Sequence, residues 1–256
     1  MEKNKKNPFF LYLPYTIPHE NGEALKGQKM EVPDYGIYSE MDWETDQKGY
    51  AAMITRMDKD IGAILKKLKD EGIDKNTLVI FTSDNGPEMH YFFAKNFNSN
   101  GVFRGGKRDL YEGGIRMPFI ARWPGKVAPG SVSGHISAFW DFLPTTCKIV
   151  GVPVPKNTDG ISYLPALTGK DNQLEHEYLY WEFYEKGGKK AIRKGKWKAV
   201  VNNLYKNLNS PVELYNLNTD PGETQNLADK YPKIVAELDS IMWAAGSPST
   251  EYSFIK

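Results

Sequence analysis

The sequence has 256 residues, 40% of them hydrophobic, which is enough to bury the core of one large domain or of a large and a small domain. Its 33 basic and 32 acidic residues give a net charge of +1, which excludes whole-chain attraction to nucleic acid or to an anionic membrane. No apolar run approaches the roughly 20 residues of a membrane helix, so no membrane span is predicted. The single cysteine, Cys147, excludes an internal disulfide.

The first predicted element is a strand at residues 9–13, where apolar and aromatic residues follow one another without a break. Pro14 and Pro18 then turn the chain into a loop that carries His19. An isolated loop histidine usually has no chemical task, and this interpretation competes with a functional one for His19. Residues 22–42 show no sustained period and are predicted to form a long irregular segment.

A helix is predicted over residues 44–69, because apolar side chains recur there at steps of three or four. The members of this stripe, which we expect to be buried, are Tyr50, Ile54, Met57, Ile61, Leu65 and Leu68. Lysines in the last turn and Gly72 beyond it are typical of a helix end. The helix leads into an apolar strand at residues 78–83, and this order of helix and strand indicates an α/β fold.

The strand at residues 78–83 stops at Asp84, Asn85, Gly86 and Pro87. Proteins of the α/β class bind ligands at the carboxyl ends of such strands. A carboxylate beside an amide oxygen suits a hard cation such as Ca²⁺ or Mg²⁺, which takes oxygen ligands. The same residue types are the commonest turn formers, so an ordinary turn is the alternative for Asp84 and Asn85.

Lys107 lies between two pairs of glycines, at positions 105–106 and 113–114, and beside Arg104 and Arg108. Its compact ammonium group is suited to a tetrahedral oxyanion, and the glycines would let a ligand approach the backbone. A basic surface loop without a ligand explains the same composition equally well.

The last part of the chain has a different character. A strand is predicted at residues 119–124 and a helix at residues 138–150, with Cys147 packed among apolar residues. Beyond residue 170 the patterns predict an antiparallel sheet covered by one helix, with strands within residues 178–184, 190–201 and 213–217 and the helix at 231–243. We therefore predict a larger domain at residues 1–170 and a smaller one at residues 171–256.

Several sequence blocks occur in an order that is typical of one enzyme family. They are FFLYLPYTIPH (9–19), MDKDIG (57–62), TSDNGP (82–87), GKRDLYEGGIRMP (106–118), DFLPT (141–145), and ELYNL (213–217) before DPGE (220–223). They are distributed in this order along almost the whole chain, which resembles the carboxyl-terminal part of a type I, formylglycine-dependent sulfatase of the alkaline phosphatase superfamily. The resemblance implies a mixed, mostly parallel sheet with flanking helices, followed by the small antiparallel sheet.

The resemblance also implies roles for the candidate residues. Asp84 and Asn85 would be ligands of a metal ion, usually Ca²⁺, with Mg²⁺ as the second choice. Lys107 would bind the sulfate group, and His19 would hydrogen-bond the ester or assist the departure of the leaving group. A metal, an ammonium group and a proton donor placed in advance would stabilise the negative charge that develops during cleavage of a sulfate ester.

The nucleophile of this family is a formylglycine, made from the first residue of a Cys/Ser-x-Pro/Ala-x-Arg motif. No cysteine or serine of this sequence begins that motif. We therefore expect the chain to be a fragment that is inactive alone, with the formylglycine in a preceding segment. The resemblance further implies export to the periplasm or the cell exterior.

The expected ligand is a small sulfate ester or a sulfated glycan, and no nucleic-acid partner is expected. One alternative is a phosphomonoester or phosphonate hydrolase of the same superfamily, and another is a non-catalytic module that binds sulfated glycans. Two segments, residues 22–42 and 88–100, and four aromatic residues either rim a sugar pocket or serve only for packing. The aromatic residues are Tyr180, Trp181, Phe183 and Tyr184. The sequence does not predict the oligomeric state.

Overall fold

A computed structural model describes residues 1–89, 97–247, 249–251 and 254. Its contacts define two compact units, Met1–Val79 with Arg122–Lys126 (unit 1) and Ile80–Ala121 with Val127–Lys256 (unit 2). This division differs from the predicted boundary near residue 170, which stays a prediction. None of the described helices is both long and apolar enough to cross a membrane.

Unit 1 is built on one long helix, α1 (Thr45–Asp70), which confirms the predicted helix. The Glu44 backbone N–H donates to the Gln47 side chain at 2.9 Å and caps its start. The predicted buried stripe is wrong in part, because Ile54 is 38% exposed whereas Met53 is buried. The reason is the covering segment: Met30 lies against Gly49, where an added Cβ would be 2.1 Å from the Met30 carbonyl oxygen.

The predicted strand at residues 9–13 is wrong in this structure. These residues form no regular structure, and Phe10 and Tyr12 are 76% and 73% exposed. A strand requires a neighbour that satisfies its backbone groups, and no sheet found among the described residues includes this segment. Residues 22–42 are irregular as predicted, apart from the short 3₁₀-helix Gly36–Tyr38.

Strands β1 (Val79–Thr82) and β2 (Phe119–Arg122) form a two-stranded sheet and confirm two predicted strands. The described residues therefore show an α/β arrangement but not the mostly parallel sheet that the resemblance implied. Between these strands lies the short helix α2 (Glu112–Ile115). Helix α3 (Phe142–Val150) confirms the predicted helix and buries Cys147, and helix α4 (Leu164–Leu167) follows it.

The last part of unit 2 is a four-stranded antiparallel sheet in the order of the sequence, as predicted. Its strands are β3 (Leu179–Phe183), β4 (Lys189–Lys194), β5 (Trp197–Asn202) and β6 (Val212–Asn216). The single helix α5 (Pro232–Ala244) packs against this sheet.

The side chains of this sheet alternate between two covered faces. One face packs on α5 and the other on Leu110 and Tyr111 of the segment that precedes α2. The buried residues of the α5 cluster are Ile192, Ala199, Val201, Leu204, Leu214, Leu238, Met242 and Phe254. On the second face Leu110 and Tyr111 pack with Ala191, Val200, Tyr215 and Leu217.

A buried ion cluster joins the second face of the sheet to α2. Lys198 of β5 and Glu223 are fully buried, and Glu112 is 2% exposed. The Lys198 Nζ atom lies 2.9 Å from Oε1 of both Glu112 and Glu223, and the Glu112 backbone N–H donates to Glu223 Oε2 at 2.6 Å. Burial raises the pKa of the Glu223 carboxyl, and Lys198 opposes this shift. Lys198 is thus the cation shared by two buried carboxylates.

We expect Lys198→Met to lower the free energy of unfolding by about 3–5 kcal/mol, because removal of one partner leaves buried charge uncompensated. The matched control is Lys194→Met on the neighbouring strand, where Lys194 lies 2.8 Å from Glu237 in an exposed pair. Exposed pairs contribute little to stability. Urea unfolding of both variants measures the difference, and equal small losses in the two variants would contradict a structural role for the cluster.

Candidate functional site

Asp84 and Asn85 lie beyond the carboxyl end of β1, separated from Thr82 by Ser83. Asp84 is exposed and Asn85 is half-buried. The Asn85 side-chain amide donates to the Gly86 carbonyl oxygen at 2.8 Å, which leaves its own oxygen as an acceptor. A carboxylate oxygen and an amide oxygen therefore lie on adjacent residues after the strand. Oxygen atoms of these two kinds are ligands that a hard cation binds.

Residues 104–114, which we call the glycine-rich loop, pack directly on the segment after β1. The Gly86 backbone N–H donates to the Gly114 carbonyl oxygen at 2.9 Å. An added Cβ at Gly86 would lie only 1.7 Å from the Gly113 carbonyl oxygen. This position therefore requires glycine because two backbones approach each other there, and not because of an unusual backbone angle.

The same packing places Lys107 in this region of unit 2. Its backbone N–H donates to the Pro87 carbonyl oxygen at 2.8 Å. The preceding residue, Gly106, is also in close contact, since an added Cβ would lie 2.4 Å from the Pro87 carbonyl oxygen. The structure thus brings the segments of three candidate residues, Asp84, Asn85 and Lys107, into direct backbone contact.

His19 belongs to unit 1 and is exposed. Its backbone N–H donates to the Thr16 carbonyl oxygen at 2.8 Å, and its ring atom Nδ1 lies 2.9 Å from the Glu20 carbonyl oxygen. The predicted role of His19 stays a prediction.

Sequence reasoning missed the side chains that hold the glycine-rich loop on the sheet. Arg104 places its guanidinium carbon 3.8 Å from the centre of the Tyr111 ring and donates to the Tyr215 hydroxyl at 2.8 Å. The Tyr111 hydroxyl donates to Glu213 at 2.7 Å. Burial, followed by the contact with Glu213, raises the pKa of Tyr111. The alternation of charged and apolar residues in β4 and β5 could have indicated such contacts. It placed lysines on a sheet face that another part of the chain also had to cover.

The aromatic residues of β3 and the adjoining Tyr184 pack on both faces of the sheet. Tyr180 and Tyr184 lie against the α5 cluster, and both hydroxyls donate to Glu182. Trp181 and Phe183 lie against the cluster on the other face. These contacts support the packing interpretation of the four aromatic residues. In the segment 88–100, which was also predicted to rim a sugar pocket, residues 90–96 lie outside the described residues.

The comparisons with known proteins agree on one family. The sequence matches the family described as Sulfatase over residues 1–152, and the family described as N-sulphoglucosamine sulphohydrolase, C-terminal, over residues 100–245. Since the first match covers more than half of the 256 residues, the chain belongs to the sulfatase family. The resemblance stated from the sequence blocks is confirmed.

Arylsulfatase A of Homo sapiens is 31% identical over 264 residues, which cover 93% of this chain and 49% of that protein. Among solved structures, Ps i-CgsB has a TM-score of 0.79 at 28% identity and covers 94% of this chain and 51% of its own. It has also been solved in complex with k-i-k-neocarrahexaose. The chain thus spans about half the length of the relatives it matches.

A second solved structure is of a protein in complex with its substrate, D-glucosamine-2-N,6-O-disulfate. Its TM-score is 0.64 at 28% identity, and the match covers 79% of this chain and 40% of that one. These structural similarities support an α/β fold of the sulfatase type.

We expect Gly86→Ala to lower the free energy of unfolding by about 1–3 kcal/mol or more, because the added methyl group overpacks a backbone contact. Gly62→Ala in α1 is the matched control, since no atom of the described residues outside the helix backbone lies within 4 Å of an added Cβ there. Alanine should stabilise that helix by about 0.5–1 kcal/mol. Thermal or urea unfolding compares them, and a neutral Gly86→Ala variant would contradict the close packing.

Proposed function

We propose that this chain supplies metal-binding and sulfate-binding groups of a sulfatase active site, and that the whole enzyme hydrolyses sulfate esters. One observation carries the proposal: the Asp84–Asn85 segment and the Lys107 segment are joined by backbone hydrogen bonds, from Gly86 to Gly114 at 2.9 Å and from Lys107 to Pro87 at 2.8 Å. Oxygen ligands for a cation and an ammonium group for an anion thus belong to one local structure.

The proposed metal ion is Ca²⁺, with Mg²⁺ as the second choice, and Asp84 and Asn85 are the residues that would hold it. Their carboxylate and amide oxygens fit a hard cation. Two oxygen ligands satisfy only part of the shell of about 6–8 that Ca²⁺ takes. Among the described residues no group of three or more His, Cys, Asp or Glu side chains is placed to hold a metal. The remaining ligands would come from elsewhere in the whole enzyme. When bound, the ion would neutralise negative charge on the sulfate oxygens.

Lys107 would bind a sulfate oxygen through its ammonium group. Lysine presents a compact point charge, which suits a tetrahedral anion approached from several directions. An ammonium group fixed before the reaction stabilises the charge that develops on the sulfate and on the leaving oxygen, because no reorganisation is then needed. The backbone contacts of the glycine-rich loop supply this fixation.

His19 is proposed to hydrogen-bond the ester oxygen or to protonate the leaving alcohol, because an imidazole ring can donate a proton to an oxygen atom. The nucleophile is proposed to be a formylglycine supplied from outside these 256 residues, because no cysteine or serine here begins the required motif. Such an enzyme would act in the periplasm or outside the cell.

Sulfated carbohydrates are the proposed substrate class. The support comes from the structural neighbours, one of which was solved with a neocarrahexaose and another with a disulfated glucosamine as its substrate. A small aryl sulfate would serve as a general probe of the same chemistry.

In the whole enzyme we expect Asp84→Ala and Lys107→Ala each to lower kcat/KM for an aryl sulfate. The decrease should correspond to a loss of about 3–4 kcal/mol of transition-state stabilisation, which is typical when one electrostatic group fixed in place is removed. Lys126→Ala is the control, since Lys126 is an exposed residue of a turn. An unchanged kcat/KM would remove the residue from the site. A matching phosphate ester should be a poorer substrate, and preference for it would favour the phosphohydrolase alternative.

We expect the 256-residue chain, purified by itself with Ca²⁺, to show no turnover of an aryl sulfate, because its sequence lacks the nucleophile motif. Product release measured spectroscopically tests this. Turnover that persists through rigorous purification and disappears in the Lys107→Ala variant would show that the chain carries its own nucleophile.

A further inference from the structure

We propose that Lys189 is a positioning residue for Lys107, holding the backbone on both sides of that lysine so that its ammonium group is fixed before an anion arrives. The inference rests on the proposed role of Lys107 in sulfate binding. Lys189 lies on β4, outside every sequence block that carries the family resemblance.

Lys189 is 7% exposed and points at the glycine-rich loop. Its Nζ atom donates to the Arg108 carbonyl oxygen at 2.8 Å and to Asp109 Oδ1 at 2.7 Å. A buried ammonium group requires such partners, since a buried charge without them is costly. Both of these partners, Arg108 and Asp109, lie within two residues of Lys107.

The Asp109 carboxylate extends this contact to the other side of Lys107. Its second oxygen, Oδ2, accepts the Gly106 backbone N–H at 3.2 Å, and the Asp109 backbone N–H donates to the Gly106 carbonyl oxygen at 2.9 Å. Residues 106 and 109 therefore close a turn around Lys107 and Arg108. Lys189 binds the carboxylate that closes the turn and also the carbonyl group within it.

This turn needs support, because Arg108 has a φ of +71°. A side chain in the left-handed region costs about 1–2 kcal/mol relative to ordinary helical backbone. The bond from Lys189 to the Arg108 carbonyl oxygen favours this conformation. The direction in which Lys107 leaves the loop thus depends on an ion pair that reaches the loop from the sheet.

The experiment uses the 256-residue chain and two readouts, the exchange rates of backbone amides and the affinity for inorganic sulfate, both measured by NMR. We expect Lys189→Met to raise the exchange rates of the Gly106 and Asp109 amides by about tenfold or more, as follows the loss of one charge-assisted hydrogen bond. It should weaken sulfate binding several-fold and leave the exchange rates of the β4 and β5 amides unchanged. Lys189→Arg should restore both values to within about threefold, because a guanidinium group donates to the same acceptors.

Lys194→Met is the matched control, because this lysine of β4 pairs with Glu237 and should leave both readouts unchanged. If Lys189→Met does not fold, Asp109→Asn tests the same ion pair by removing the charge on its other side, with the same expected changes. Unchanged exchange at Gly106 and Asp109 would overturn the inference, as would an equal rise throughout β4 and β5, which marks general destabilisation.

Lys107→Met separates this inference from the proposed function. If Lys107→Met leaves sulfate affinity unchanged, the assignment of Lys107 as the sulfate ligand fails. The assignment of Lys189 as a positioning residue for sulfate binding then fails as well. If Lys107→Met abolishes binding whereas Lys189→Met and Asp109→Asn alter neither readout, only the inference about Lys189 fails.

Discussion

The ion cluster of Lys198, Glu112 and Glu223 is the interaction on which the arrangement of unit 2 depends. Burial of three charged groups is costly unless each has partners at close range, so only one way of docking the loop on the sheet satisfies all of them. The face that packs on α5 also buries a charge, since the Lys190 Nζ atom lies 2.9 Å from Glu182 and 4.1 Å from the centre of the Trp243 ring, but these partners do not belong to the loop. The face under the glycine-rich loop carries Lys189 and Lys198, which pair with Asp109 and Glu112 of the loop, and it therefore determines the position of the loop.

The candidate site follows from this docking by a short series of contacts. Glu112 begins α2 in the last part of the glycine-rich loop, so the cluster fixes the end of the loop, whereas Lys189 fixes its middle. The loop in turn packs on the segment after β1, and the contact is so close that Gly86 has no room for a side chain. The proposed sulfate ligand and the proposed metal ligands are therefore positioned by the same sheet, although none of them lies on it.

The sequence predicted the elements whose signal is local. The helix α1, strand β1 and the antiparallel sheet follow from periods of three to four or of two residues within one short window. The buried cluster could not be predicted in this way, because Lys198 and Glu112 are 86 positions apart and Lys189 and Asp109 are 80 apart. Their pairing depends on which face of the sheet meets the loop.

Two predictions failed for a related reason. The apolar run at residues 9–13 has the composition of a buried strand, but composition supplies no neighbouring strand, and Phe10 and Tyr12 are exposed. On α1 the spacing correctly indicated a helix, whereas the buried side was decided by the packing of Met30 on Gly49. For the candidate site, the sequence predicted the residue types and their position beyond the end of strand β1. The backbone contacts that join Asp84, Asn85 and Lys107 were not.

The central claim is that these three residues act as one site, with a cation and an anion bound next to each other. The most direct test is the affinity of the whole enzyme for inorganic sulfate, measured by NMR with and without Ca²⁺. Because linkage is reciprocal, Ca²⁺ should tighten sulfate binding, and the shifted amides should lie at residues 84–86 and 105–109. A sulfate affinity that is indifferent to Ca²⁺, or shifts centred elsewhere in the chain, would contradict the account.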